Sequence, residues 1–439
     1  MAHGPASPLR FGIFADDLTG ALYAAAPFVS RGLGAYASLE ASLPADFTRR
    51  GFPVASVNMD SRRLSASHAA ERAYDAVSDL VEEGYRPAFN KVDSTLRGHV
   101  GLEALVAVRA GAARGFVLAP AFPANGRTVA DRELRVDGVP VAQTEVGRDV
   151  LSPVPTSDIT EAVRRNCGAE PSHIGLDEVR KGPAAVARFL ANAGGRAGVA
   201  VAADAETDDD LEVVAGACLM REPEWLLAGS AGLATAVAGL LAGAARPRAT
   251  RDGRAPAPYL VVVGSQRDVA RHASHQLADA GPARLVGVPG DRLLDRRRAR
   301  RAVASAVRRT ADHLRAAGSV VLLLEAGDAV AASGSGQGSL AGARDALVAA
   351  VGEIVSSAIA KVRPGALVIV GGDTATAVLG AGGSAGVVVG DEPLPGAVAG
   401  VVDGGSYASM PVVTKAGAFG GRDTLAAIVR YLEGGADER

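Results

Sequence analysis

Residues 11–21, FGIFADDLTGA, decide the fold: an apolar run stops at Asp16-Asp17 and a small-residue segment with helix-forming character follows. Strand, polar turn and helix in that order make the βα half of an α/β unit. Neighbouring strand residues point to opposite faces. One aspartate can therefore face a ligand while the other caps the helix, as Asp commonly does at helix starts.

Working outward, short apolar runs alternate with amphipathic segments along the whole chain. The pattern predicts strands at Arg10–Ala15, Val54–Asn58, Ala88–Val92, Gly115–Ala119, Gly198–Ala202 and Trp225–Ala228, with a helix at Ala66–Glu83. The alternation restarts with a strand at Tyr259–Val263 and a helix at Asp268–Ala280. Strands at Val320–Glu325 and Ala366–Val370 follow, and a last helix at Asp423–Leu432. The fold class expected is α/β, with mainly parallel sheets whose ligands bind beyond the carboxyl ends of the strands.

At 439 residues the chain exceeds one core, since cores stop growing near ~250–300 residues. Residues 245–257 are rich in Pro, Arg and Gly without apolar periodicity and read as a linker. It separates domains at 1–244 and 258–439.

Hydrophobic content of 48%, charged content of 21% and a net charge of -2 describe a soluble protein with no electrostatic call for nucleic acid or membrane. The two cysteines, Cys167 and Cys218, form no CxxC or ligand-like pattern. No apolar run reaches the ~20 residues of a membrane span, and the N-terminus lacks signal-peptide character. A cytoplasmic protein is expected, and a homo-oligomer is compatible with the sequence.

Polar residues gather where strands end. In VNMDSRRL, residues 57–64, Arg62 offers a planar fork of donors to a carboxylate. In FNKVDSTLRGHVG, residues 89–101, Lys91 and Arg97 flank Asp93 and Ser94, with Gly98 and Gly101 leading into a helix. Cations and exposed backbone N–H groups at such a junction suit a carboxylate or phosphoryl group. Asp93 is then available as a general base. The bland alternative is a Lys–Asp ion pair with Ser94 capping the helix. Residues 118–149 carry prolines and glycines that argue against regular structure, so Arg127, Thr128, Thr144 and Asp149 are expected on site-shaping loops. Ser230 sits at the expected cap of AGSAGLATAVAG, residues 228–239.

Three strand ends in the second half carry glycine: VVVGSQRD, VIVGGDTATAV and VVTKAGAFGGRD. Each can turn N–H groups toward phosphate at a helix start. No Gly-Lys pair occurs, which excludes a P-loop motif. GQGSLA, residues 336–341, matches the dinucleotide pattern formally but lies in a Gly/Ser-rich stretch, 331–342, that reads as a mobile loop ahead of a helix.

Taken together, these motifs resemble the four-carbon acid sugar kinase family of D-threonate, D-erythronate, L-threonate and 3-oxo-tetronate 4-kinases. FGIFADDLTGA, the Ser-Arg of VNMDSRRL, KVDSTLRGHVG, PAFPANGRTV and AGSAGLA are similar to the family's substrate domain. VVGSQRD, GGDTATAVL and KAGAFGGRDTL are similar to its nucleotide domain. The resemblance implies that Asp16, Asp17, Arg62, Lys91, Asp93 and Arg97 line an acid-sugar site, to which Ser94 and Arg127 are assigned as further substrate contacts. It implies that Ser265, Gly371, Gly372, Asp373, Thr374 and Gly417 hold ATP. One departure lies in residues 261–276, where the family more often has Ser-Cys-Ser, Pro and Thr after the Gly-Ser; Ser265 and Gln276 keep their places.

The resemblance also implies a fold unlike ribokinase or actin-like kinases, with chemistry in the cleft between two α/β domains. The reaction expected is transfer from Mg-ATP to the 4-hydroxyl of a sugar acid, with Asp17, Lys91, Asp93 and Arg97 in catalytic roles. A dehalogenase-type sugar phosphatase is the first rival, but its two aspartates stand one residue apart whereas Asp16 and Asp17 are adjacent. A non-catalytic sugar-acid-binding protein is the second.

Overall fold

The computed structural model describes residues 9–149, 152–193, 198–221, 224–242, 254–281, 283–295, 297–326, 337–417 and 419–434. Most of the linker read at 245–257, and the part of the Gly/Ser-rich loop before Gln337, lie outside them. The chain forms two compact units, Met1–Arg248 and Ala249–Arg439.

The first unit is built on strands β1 (Phe11–Ala15), β2 (Ala35–Ser38), β3 (Val54–Asn58), β4 (Arg86–Lys91) and β5 (Gly115–Ala119). A small sheet of β6 (Arg127–Ala130), β7 (Glu133–Val136) and β8 (Val139–Pro140) interrupts the series. The main sheet then continues with β9 (Ser172–Ile174), β10 (Val199–Ala203) and β11 (Trp225–Gly229). Its order is β2-β3-β1-β4-β11-β5-β10-β9, every pair parallel. Parallel strands covered on both faces read as continuous apolar runs, and β1, β3, β5 and β11 are buried throughout.

Register fixes what this sheet presents at one edge. Ala15 pairs with Asn58 on one side and Lys91 on the other, and Lys91 pairs with Gly229. The residues just beyond, Asp16 and Asp17, Asp60 to Arg62, Asp93 to Arg97 and Ser230, thus emerge from adjacent strands. Helix Ala66–Glu82 illustrates the crossovers: Ser65 caps it by accepting from His68 N, and Ala69, Ala73, Ala76, Val77 and Leu80 bury one stripe.

Residues 118–149 differ from the irregular loop expected. The pairs Asp131-Arg132 and Asp137-Gly138, all at positive φ, connect β6 to β7 and β7 to β8, so the segment folds as an antiparallel meander. Asp-Gly between strands is a strong hairpin signal, and it outweighs the prolines here.

The second unit contains β12 (Tyr259–Val263), β13 (Ala283–Pro289), β14 (Ser319–Glu325), β15 (Ala366–Val370), β16 (Gly386–Val389), β17 (Ala397–Asp403) and β18 (Pro411–Lys415). Its order is β13-β14-β12-β15-β18-β17-β16; the pairs from β13 through to β18 are parallel, while β17 runs antiparallel to both neighbours. Val261, Val263, Val368 and Val370 meet Leu277, Ile428 and Leu432 in its core, where burying each such side chain stabilises by about 1.5–3 kcal/mol. The helix expected after the Gly/Ser-rich stretch begins at Gln337 and runs to Ile359, taking in residues 337–342, which the sequence reads as loop. No helix of the described residues is long and apolar enough to cross a membrane.

Gly101 starts helix Leu102–Arg109 at φ 84°, and a Cβ there would stand 3.2 Å from Val163 Cγ1 and 3.4 Å from Cys167 Sγ. Positive φ and crowding act together. Gly101→Ala should lower the unfolding free energy by about 1–3 kcal/mol in urea titration; an unchanged midpoint would contradict that geometry.

Candidate active site

Arg62 organises the carboxyl edge of the first sheet. Its Nε donates to Asp16 Oδ2 at 2.7 Å and its Nη2 to Asp16 Oδ1 at 2.8 Å. Nη1 lies 2.8 Å from Asp17 Oδ2, and Nη2 is 3.9 Å from Asp93 Oδ1. The fork read as a grip for a ligand carboxylate is thus occupied by the protein's own aspartates. Gly98, at φ 83°, passes over this pair: a Cβ there would lie 3.3 Å from both Arg62 Cγ and Asp16 Oδ2.

The two adjacent aspartates divide their tasks. Asp17 caps helix Leu18–Ser30, accepting from Gly20 N at 2.6 Å and from Thr19 Oγ1 at 3.1 Å. Burial pushes its carboxyl up, but Arg62, Lys91 and the Gly20 N–H outweigh burial and hold it below the usual range. Asp16 is deeper, and burial, reinforced by Asp17, raises it despite Arg62.

Asp93 is chelated by Arg97, Nε to Oδ2 at 2.9 Å and Nη2 to Oδ1 at 2.9 Å, and its Oδ2 also accepts from the Thr95 hydroxyl. Against its burial, Arg97 and Arg62 hold it well below the carboxylate range. Ser94 is buried in the same turn and does not cap the following helix, whose cap is Gly101. Arg127 heads β6, where burial lowers its guanidinium and the charges of Asp93 and Arg97 reach it. Thr144 and Asp149 bond to Val141 O and Ser152 N, and so hold their own loop.

Lys91 ends β4, 6% exposed, with Nζ donating to Val92 O at 2.6 Å. A Cβ on Gly20 would lie 3.5 Å from Nζ, which places the ammonium beside the first turn of helix Leu18–Ser30. The Lys–Asp ion pair is not formed at Asp93, which takes Arg97 instead.

The motif reading gives Glu103 and Asn90 no role and takes Ser61 only as the Ser of a Ser-Arg pair. Glu103 is 1% exposed, and it accepts from Ser61 Oγ and, at 3.2 Å, from Asn90 Nδ2. Ser61 N in turn donates to Asp16 O. Burial, with the Asp16 charge next in size, pushes Glu103 up to about 8. An acid on the buried face of helix Leu102–Arg109, among Ala104, Leu105 and Ala107, was the available sign.

In the second unit the glycine-bearing strand ends converge. Gly371, at φ 111°, precedes helix Gly372–Ala381 and donates its N–H to Lys415 O at 2.9 Å. Cβ atoms on Gly264 and Gly371 would meet Thr374 Oγ1, and one on Gly417 would stand 2.6 Å from Ser265 Oγ. Ser265, Gly371, Gly372, Thr374 and Gly417 therefore share one strand edge, and Asp373 in the helix's first turn pairs with Arg344 at 2.8 Å. Gln266, also missed, bonds Gly264 O and Leu324 O at 3.0 Å and accepts from Ala326 N, tying β12 to β14. Gln276 reaches Asp423, the cap of the last helix. A half-buried helix head flanked by glycine has the backbone N–H groups that suit an anion such as phosphate.

Residues 11–237 match the family model described as a sugar-binding N-terminal domain, and residues 260–425 match one described as a nucleotide-binding C-terminal domain. The chain belongs to the four-carbon acid sugar kinase family. Family relatives include a D-threonate kinase of Salmonella typhimurium, 31% identical across 96% of this chain and 98% of the relative. A D-threonate kinase of Bordetella bronchiseptica is 34% identical across 94% and 95%, and a 3-oxo-tetronate kinase of Methylobacterium radiotolerans 31% identical across 94% and 97%. The fold is that of a Haemophilus influenzae DUF1537 protein, at TM-score 0.71 and 19% identity over 96% of this chain and 100% of that one.

Two predictions follow from the buried charges. Arg62→Met leaves Asp16 and Asp17 without their cation and should destabilise the protein by about 3–5 kcal/mol in urea titration, the cost of breaking a buried pair; a loss under about 1 kcal/mol would mean the guanidinium organises little. For Glu103, a raised pKa means the folded state holds a proton that the unfolded state releases. Its contribution is complete below its ordinary value of 4.5 and falls as pH rises toward about 8. The stability of wild type relative to Glu103→Gln should decline across that window, and a flat difference would show that Glu103 is ionised throughout.

Proposed function

We propose that this four-carbon acid sugar kinase phosphorylates the 4-hydroxyl of D-threonate, using ATP delivered as its magnesium complex. The observation that carries the choice of acid is the match, over nearly the full length of both chains, to two D-threonate kinases. The first unit holds the acid and the second the nucleotide.

Because Arg62 and Arg97 are engaged by Asp16, Asp17 and Asp93, Lys91 is the cation assigned to the acid's carboxylate, and Ser94 and Arg127 are assigned as further contacts of the acid. Carboxylates accept hydrogen bonds from hydroxyls, so Asp16 and Asp17 suit the sugar's polyol. Asp17 is the proton acceptor in preference to Asp93, whose two oxygens are both chelated by Arg97, whereas Arg62 pairs with one oxygen of Asp17 and the other accepts a single backbone N–H. Phosphoryl transfer requires mainly positioning and charge stabilisation, and a rigid cluster meets that need.

In the second unit the N–H groups around Gly371 and Gly417, with Ser265 and Thr374, cradle the phosphates. Magnesium usually binds through phosphates and one or two carboxylates, and Asp373 is the carboxylate of that helix turn.

The direct test is phosphate transfer followed by 31P NMR on D-threonate, L-threonate, D-erythronate and a 3-oxo-tetronate. A 4-phosphate should form fastest from D-threonate; faster turnover of another acid overturns the choice of substrate, and no ATP consumption with any of them overturns the activity. Lys91→Met should weaken D-threonate binding by about 10²–10³-fold, the scale for removing one partner of a buried charge pair, while calorimetry shows ATP binding intact. Unaltered acid affinity with slowed turnover would move Lys91 to the phosphoryl group.

A further inference from the structure

β18 ends in Lys415, which the motif reading left without a role. The residue is 2% exposed, and Nζ donates to the carbonyl of Ala416 at 3.0 Å. That bond employs one of the three donors of an ammonium. Among the described residues no carboxylate offsets the charge, and burial by itself pulls the group down to about 8. A buried ammonium without a counter-charge is costly, so its retention calls for an anion that arrives with a ligand.

The surroundings say which anion. The backbone carbonyl of Lys415 accepts from Gly371 N, so the lysine is fastened to the turn that heads helix Gly372–Ala381. Two residues on, Gly417 lies so close to Ser265 that a Cβ would stand 2.6 Å from the hydroxyl oxygen. Cation, helix N-terminus and glycine turns thus meet at one strand edge, a combination that suits a phosphate chain better than a lone carboxylate.

We propose that Lys415 is the charge partner of the nucleotide's terminal phosphates and the residue that makes the second unit favour ATP and ADP over AMP and adenosine. The proposal rests on the nucleotide reading above, and its test separates the two. Calorimetry on the full chain compares wild type with Lys415→Met for ATP, ADP, AMP, adenosine and D-threonate.

The variant should lose about 10²–10³-fold in affinity for ATP and ADP, with adenosine and D-threonate affinities unchanged. Wild-type affinity of the variant for ATP, while wild type binds ATP, overturns the assignment of Lys415 alone; failure of wild type to bind ATP overturns the nucleotide reading itself. Lost D-threonate binding with ATP binding intact also overturns the assignment, transferring the lysine to the acid. Thermal unfolding gives a second readout. Replacing an uncompensated buried ammonium by an apolar group of similar size should leave the free protein as stable or more stable, and the stabilisation by ATP should shrink. Should Lys415→Met not fold, Lys415→Gln carries the same comparison, and a destabilised free protein with undiminished ATP stabilisation would overturn the proposal.

Discussion

The Arg62 guanidinium is the interaction on which the first unit's site depends. Asp16 and Asp17 follow β1 and Asp93 follows β4, so the sheet's register forces several carboxylates into one buried corner. Carboxylates that close raise one another's pKa and cannot all ionise unaided. The guanidinium, fixed beyond the neighbouring strand β3, lowers that repulsion and sets the geometry of Asp16 and Asp17. Glu103, its carboxyl pushed up by burial and by the Asp16 charge, braces the corner through Ser61.

The two units use one design with different emphasis. In each, a strand ends in a buried lysine that bonds the carbonyl of the next residue: Lys91 in β4 and Lys415 in β18. Around Lys91 stand aspartates and arginines, which suit an acid rich in hydroxyls. Around Lys415 stand glycines and a helix head, which suit phosphates. A sugar acid and a nucleotide differ in just this way, one needing directional acceptors and the other close backbone approach.

Much of this could be read from sequence because parallel strands are continuous apolar runs and their ends are abrupt. Val54–Asn58, Gly115–Ala119, Tyr259–Val263 and Ala366–Val370 stand where the pattern puts them. The short strands β2 and β9 lack enough length to show a period, and β16 and β17 are Gly- and Val-rich runs without a clear boundary. At the site, residue types were legible but pairings were not. Arg62 and Arg97 both look like ligand cations in one dimension, and only the register of β1, β3 and β4 shows them facing aspartates. Glu103, and the part played by Lys415 inside its motif, are not legible because burial, which gives them their meaning, is a property of the folded chain.

The measurement closest to the central claim is a crystal structure of the full chain with D-threonate and a non-hydrolysable ATP analogue. The acid should lie among Asp16, Asp17, Lys91 and Arg127, with Arg62 still bound to its aspartates, and the phosphates at Ser265, Gly371, Gly417 and Lys415. Phosphates bound in the first unit, or an acid whose carboxylate displaces Asp16 from Arg62, would contradict it.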